Sequence, residues 1–168
     1  MPSMYRATVP VMIRGLKILT TLLDKGEAHA AATGQDPAAL LAASLAPDML
    51  TLTGQIQRVS DTAKAAIGRL TDITPPPMPD DEVTFADLKA RLAKTIAFLD
   101  SVDEDAFDGS KKREVTLKAG AFEAKMSGED CQLGFALPNF YFHLVTAYAI
   151  LRHQGVAVGK LDYLGPMG

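Results

Sequence analysis

The sequence predicts a mainly α-helical protein, a four-helix bundle with a β-hairpin inserted before the last helix. Apolar residues recur every three or four positions in four long segments, which is the pattern of amphipathic helices that share a core. One shorter segment alternates apolar and polar residues, as the strands of a hairpin do. Short connections join the segments, and four such helices pack as a bundle.

Two of the long helices precede a proline-rich break. The first is predicted over residues 3–29, where Pro10 either opens the main helix after Thr8 or kinks it. A short helix follows, with Asp36 as its cap and Pro37 at its first position. The second long helix is predicted over residues 47–70. The break itself is "TPPPMPDDE", residues 74–82, in which four prolines remove backbone donors and forbid a helix.

The second half of the chain contains the other two helices and the hairpin. The third long helix begins at Thr84, where "TFADL" has the capping-box pattern with Asp87. After Gly109 the period changes to two, with Val115 and Leu117 on one side of a strand. The turn of the hairpin is predicted at residues 118–121, which include Gly120. The last helix is predicted to start at residue 138 and to end before residue 155, and the tail after it to be irregular.

Composition restricts the class of protein. The chain has 168 residues, of which 48% are hydrophobic and 22% charged, so we predict one globular domain over residues 1–168. The net charge of -3 argues against a nucleic-acid partner, since phosphate binding requires clustered Lys and Arg. We expect no membrane-spanning segment, because no run approaches the length that a span requires. With one cysteine, Cys131, and no leader pattern, a cytoplasmic location is expected.

The last helix carries the strongest candidates for a site. Asn139, His143, Thr146 and Ile150 form one stripe, so His143 has a polar neighbour on each side. Three roles remain open for His143: a core histidine held by hydrogen bonds, a metal ligand, or a general acid or base. Its candidate partners on other helices are Gln55, Asp61, Thr62 and His29.

The histidine spacing argues against a metal site. His143 and His153 are ten residues apart, which on a helix separates them by about 15 Å along the axis and about 80° around it. A metal–nitrogen bond is only about 2 Å long, so both side chains cannot bind one ion. We therefore expect no metal and no cofactor.

Aromatic residues are dense on the same helix. Phe140, Tyr141, Phe142 and Tyr148 cannot face one direction, because consecutive residues differ by about 100°. The helix is therefore expected to be covered on several sides, by the hairpin or by a partner subunit. Phe142 and Tyr148 could instead line a ligand pocket.

The motifs together resemble a known bacterial family. "SMYRATVPVMIRGL", "LAPDML", "DTAKAAIGRL", "TFADLKARLAKTIAFL" and "FALPNFYFHLVTAYAILRHQGVAVGKLDYLG" are similar to the DUF1993 family (domain of unknown function) of the DinB/YfiT-like putative metalloenzyme superfamily. The resemblance covers essentially the whole chain. It implies a DinB-like up-down-down-up bundle that acts as a homodimer.

The superfamily's metal site is where this sequence departs from the pattern. Relatives of known activity include metal-dependent thiol transferases and an isomerase, which bind a divalent metal through one histidine of the second helix and two of the last. Residues 47–70 contain no histidine, and the position one turn before His153 is Ala149. We therefore expect an uncharacterised bundle protein that lacks the three-histidine site, with small-molecule binding open at Asn139, Phe142, His143, Thr146 and Tyr148. The alternative is a metal- or thiol-dependent transferase or isomerase with a rearranged site at His143.

Overall fold

A computed structural model describes residues 3–119 and 121–166 and confirms the mainly α-helical bundle. Four long helices form the core: α1 (Met4–Thr33), α3 (Leu52–Leu70), α4 (Phe85–Asp100) and α6 (Leu137–His153). The other elements are α2 (Pro37–Leu41), β1 (Glu114–Ala119), β2 (Phe122–Ser127), α5 (Gly128–Cys131) and α7 (Lys160–Leu164).

Side-chain pairs between helices show how the four run. His143 of α6 contacts Gln55 of α3, and Asn139 of α6 contacts Thr62 of α3. The residue numbers therefore increase in opposite directions along the two helices. Helices α3 and α6 are therefore antiparallel. Gly15 and Gly26 of α1 approach Phe140 and Leu151 of α6 in the same order, so α1 and α6 are parallel.

The connection after α3 returns along the whole helix before α4 begins. In this crossover, residues 71–84, the Pro76 carbonyl accepts from Lys64, Asp80 contacts Arg58, and Glu82 accepts from Gln57. Helix α4 thus starts beside the start of α3 and runs parallel to it. The order is up-down-down-up, as the resemblance implies.

One helix end and one helix start differ from the predicted ones. Helix α1 begins at Met4, capped by Ser3, close to the predicted residue 3, but it continues to Thr33 and not to residue 29. Pro10 lies inside this helix and does not open it. Helix α3 begins at Leu52 and not at residue 47, because the Thr51 hydroxyl accepts from the Gly54 amide and caps the helix there. The start of α4 is as predicted, with the Thr84–Asp87 capping box complete.

The last helix is longer than predicted. Helix α5, a π-helical turn over Gln132–Ala136 and α6 form one continuous helix from Gly128 to His153, so the predicted start at residue 138 is wrong. Within the π turn the Leu137 amide donates to the Gln132 carbonyl, five residues back. By length and composition alone, this helix of 26 residues could cross a membrane. A helix with one face in a protein core meets the same criterion, and Phe140, Leu144 and Leu151 are fully buried.

The hairpin and the tail complete the fold. Strands β1 and β2 are antiparallel, with Val115 opposite Met126 and Leu117 opposite Ala124. Val115 and Leu117 are buried, which confirms the predicted inner side, whereas the predicted turn residue Gly120 lies outside the described residues. The tail is not wholly irregular, because α7 forms there.

Helices α1 and α6 approach each other closely at Gly15 of α1. A Cβ atom at Gly15 of α1 would lie 2.5 Å from Cε1 of Phe140, whose side chain is fully buried. Only a residue without a side chain therefore allows the Phe140 ring to lie against α1. This contact fixes the rotation of α6, and with it the direction in which His143 points.

Candidate functional site

His143 lies where α6 faces α3. Its Nδ1 atom is 2.7 Å from Oε1 of Gln55, and the imidazole is half-buried. The Gln55 side chain is buried and held at its other end, since its Nε2 group donates to the Leu50 carbonyl at 3.2 Å. A buried glutamine fixed at both ends holds the imidazole in one orientation.

This chain of hydrogen bonds determines the proton position on His143. Because the Gln55 amide nitrogen donates to a carbonyl, its Oε1 atom accepts, and the proton of the neutral imidazole must be on Nδ1. Burial, and secondarily the positive charge of Arg58, lowers the pKa of His143 below its ordinary value. The ring is therefore neutral at pH 7, with a lone pair on Nε2. Within the described part of the chain, Nε2 makes no hydrogen bond.

The polar residues of the predicted stripe have separate roles. Asn139 donates to the Thr62 hydroxyl at 2.8 Å, so it cross-links α6 to α3 one turn before His143. Thr146 is buried and donates to the Phe142 carbonyl within its own helix. Of the three predicted partners of His143 on α3, Gln55 contacts it, whereas Thr62 contacts Asn139 of the same stripe.

Phe142 lies at the rim of this site. Its ring is perpendicular to the imidazole, with ring centres 5.1 Å apart, and 56% of the residue is exposed. Val145, three residues later on the same side of α6, is 43% exposed, and Leu50 is 46% exposed. Phe142 therefore presents an exposed apolar ring beside the imidazole, and Val145 extends that apolar surface on the Phe142 side of α6.

Other predicted residues are placed elsewhere. Tyr148 packs near Tyr163 of α7, with ring centres 6.1 Å apart, and is not grouped with His143. His29 lies beside Gly155, past the end of α6, and His153 is exposed on the last turn. His153 is ten residues after His143 on the same helix and therefore lies about 15 Å further along its axis. His29, beside Gly155, lies at that same far end of α6.

The arrangement around His143 provides one nitrogen ligand and no acidic or histidine companion. Among residues 3–119 and 121–166, no three His, Cys, Asp or Glu side chains are placed to share an ion. The side chain of α3 that faces His143 is the neutral amide of Gln55, and one turn later on α6 is the buried Ala147.

Asp61, predicted as a partner of His143, belongs to a different group. It accepts from Arg91 of α4 at 2.7 Å and lies 3.1 Å from Arg58 and 3.2 Å from Lys64. Arg91 is only 2% exposed and also contacts Asp80 at 3.0 Å and Glu82 at 2.9 Å. This Arg91 cluster ties the crossover to α3 and α4. The prediction that Asp61 contacts His143 is therefore wrong.

Sequence reasoning missed the Arg91 cluster, although one signal pointed to it. Arg91 is three residues after Leu88 and four before Thr95, which places it on the buried stripe of α4. A charged residue on an apolar stripe predicts a buried partner. Its partners Asp80 and Glu82, however, come from an irregular segment whose path has no periodic pattern.

Comparison with known proteins identifies the family. The sequence pattern of DUF1993, described as a domain of unknown function, matches residues 4–164. No curated protein has a significantly similar sequence. A crystal structure of a DinB family member protein from Shewanella denitrificans is 37% identical and superposes with a TM-score of 0.90, covering 97% of this chain and 92% of that one. The chain therefore belongs to the DUF1993 family and has a DinB-like fold.

Proposed function

We propose that this DinB-like bundle binds a small molecule at His143 without a three-histidine metal site. The observation that supports the proposal is the neutral imidazole, fixed by Gln55 and leaving the Nε2 lone pair directed away from its only described partner. Nε2 is not among the buried polar atoms that lack a partner in the described part of the chain, so a ligand can reach its lone pair from solvent.

The surroundings of Nε2 define the chemistry of the ligand. A lone pair on a neutral ring accepts a hydrogen bond, so the ligand must carry an O–H or N–H donor. The exposed Phe142 ring lies next to the imidazole and offers apolar surface. A donor group attached to an apolar ring satisfies both features.

Phenol and anisole provide a matched pair of probes. Phenol has the donor and the ring, whereas anisole has the ring without the donor. We expect phenol to bind about fivefold more tightly than anisole, because one neutral hydrogen bond contributes about 1 kcal/mol. The measurement is a titration followed by the ¹⁵N resonances of the histidine rings at pH 7, in which phenol should shift Nε2 of His143.

Two variants make the test specific. His143→Phe keeps a ring but removes the acceptor, and should abolish the preference for phenol over anisole. His153→Phe changes an exposed histidine on the same helix and should leave the preference intact. Equal binding of both probes to the unaltered protein would refute the proposal. Binding of one zinc ion per chain that is lost in His143→Phe would favour the metal-dependent enzyme instead.

We also propose that the exposed apolar side of α6 binds a second copy of the chain. Phe142 and Val145 lie on one side of the helix with 56% and 43% exposure, and large apolar side chains at neighbouring surface positions favour a self-complementary contact.

Light scattering after size exclusion checks the homodimer. Phe142→Glu should shift the protein toward the monomer, because a carboxylate at the centre of an apolar contact loses its hydration. Val83→Glu is the control, since Val83 is 75% exposed on the crossover. A monomeric mass for the unaltered protein at about 100 μM, a concentration at which micromolar dimers form, would exclude the dimer.

A further inference from the structure

A second concave surface lies on the α1–α7 side of the bundle, formed by residues that do not contact His143. It is a groove of about 780 Å³, within the size range of small-molecule sites. Its apolar lining comes from α1 and from the C-terminal segment: Val9, Pro10, Ile13, Ile18, Leu161 and Pro166. Leu161 is 74% exposed, so this wall of the groove presents apolar surface that the fold leaves uncovered.

Two cations lie on the α1 side of this groove. Arg14 and Lys17 are three residues apart and therefore neighbours on the helix surface. The Arg14 guanidinium donates to the Leu164 carbonyl, which fixes its position without neutralising its charge. Neither cation forms an ion pair with a carboxylate of residues 3–119 or 121–166, whereas Lys25, two turns after Lys17, pairs with Asp162 at 2.6 Å.

The acidic residues of the groove restrict the ligand further. Asp162 is already paired with Lys25. Asp100, at the end of α4, lines the groove, is exposed and has no cationic partner within the described residues. It repels a negative group, so an anionic head group is directed to Arg14 and Lys17, and a ligand with a second negative group is disfavoured.

We infer that this groove binds a molecule with a single carboxylate and an apolar chain. The carboxylate lies at Arg14 and Lys17, and the chain lies on the apolar lining between α1 and the C-terminal segment. Burial of the chain supplies most of the affinity, and the two cations select an acid over a neutral molecule of the same length.

Octanoate and octan-1-ol test this inference, since they have the same chain length and differ in the charged head group. Titration of the full chain, followed by backbone amide resonances, should show octanoate shifting residues 13–21 and 161–166. We expect octan-1-ol to bind about fivefold more weakly, the scale of a partly exposed ion pair. Asp100→Asn should strengthen octanoate binding, because it removes the repelling charge.

Lysine variants separate a specific contact from a general charge effect. Lys17→Gln should lower the affinity for octanoate about threefold to fivefold and leave octan-1-ol binding unchanged. Lys94→Gln removes the same charge from an exposed position on α4 and should change neither. Thr21→Phe, at an exposed lining position, should weaken both probes by filling the groove.

Three outcomes would overturn the inference. The first is equal affinity for octanoate and octan-1-ol. The second is an equal effect of Lys17→Gln and Lys94→Gln on octanoate binding. The third is a set of shifted resonances that lies outside the groove.

Discussion

Replacing Arg91 with methionine is expected to destabilise the protein by about 3–5 kcal/mol, the usual effect of removing one partner from a buried ion pair. Arg91 is 2% exposed, and Glu82, whose side chain is 8% exposed, has Arg91 as its ion-pair partner. Without the guanidinium, the Glu82 carboxylate loses its ion pair and keeps the hydrogen bonds from Gln57 and from its own backbone amide. Urea unfolding at pH 7 measures the change in the free energy of unfolding.

The pH dependence of this effect follows from Glu82. Burial raises the pKa of Glu82, but hydrogen bonds from Gln57 and Arg91 and the charge of Arg91 outweigh it, so the pKa lies below its ordinary value. A carboxylate whose folded-state pKa is depressed adds stability that is present above the unfolded-state pKa and is lost as the pH falls through the folded-state pKa. The difference between the unaltered protein and Arg91→Met should therefore shrink below about pH 4.

Two further variants test the cause. Arg91→Met combined with Glu82→Gln should recover part of the lost stability, because the uncompensated charge is removed with its partner. Arg6→Met changes an exposed arginine and should alter the free energy of unfolding by less than about 0.5 kcal/mol. A loss below about 1 kcal/mol in Arg91→Met would show that the cluster does not stabilise the crossover.

Replacing Phe140 with alanine is expected to lower the free energy of unfolding by about 3–5 kcal/mol, since the side chain is fully buried and packs against α1. Phe142→Ala is the matched control two residues away, where the ring is 56% exposed and the cost should be well below that of Phe140→Ala. Thermal or urea unfolding measures both.

The same contact predicts a coupling with Gly15. Gly15→Ala places a Cβ atom 2.5 Å from Phe140 Cε1, so overpacking of about 1–3 kcal/mol should exceed the gain in helix propensity. The penalty should fall when Phe140 is leucine, because the ring atom that clashes is absent. Gly134→Ala, where a Cβ meets no atom within 4 Å, should not destabilise the protein. Additive effects of Gly15→Ala and Phe140→Leu would contradict this account.

Local signals in the sequence predicted much of the fold. The spacing of apolar residues is a property of each helix, so α1, α3, α4 and α6 and the inner residues Val115 and Leu117 could be read without knowing their partners. The missed helix starts had competing local signals. Pro47 is a common first residue of a helix, but Thr51 provides the cap that is used.

Pro138 was misread for a different reason. A proline inside a helix normally removes a hydrogen bond and marks a helix start. Here a π turn precedes Pro138, and the Leu137 amide donates to the Gln132 carbonyl, five residues back and not four. The backbone hydrogen bonds are therefore already shifted by one residue at the position before the proline. No periodic pattern in the sequence announces a π turn.

The candidate site was predictable only in part. Helical spacing placed Asn139 and His143 on one stripe, and Gln55 was correctly named as a partner of His143, whereas Thr62 bonds to Asn139 instead. The pairing of individual residues depends on the rotation and offset of two helices, which follow from packing contacts such as Gly15 with Phe140. That is why Asp61 was assigned to His143 and not to Arg91.

The π turn offsets the direction in which the two parts of the long final helix face. Upstream of the turn, Gly128 abuts the Ser110 carbonyl and its amide donates to Arg113, whereas downstream Phe140 and His143 face α1 and α3. A straight α-helix would tie these two orientations together, since each residue advances the rotation by about 100°. The extra residue in the turn offsets the two parts by a fixed angle, so the Gly128 end packs against Ser110 while His143 faces Gln55.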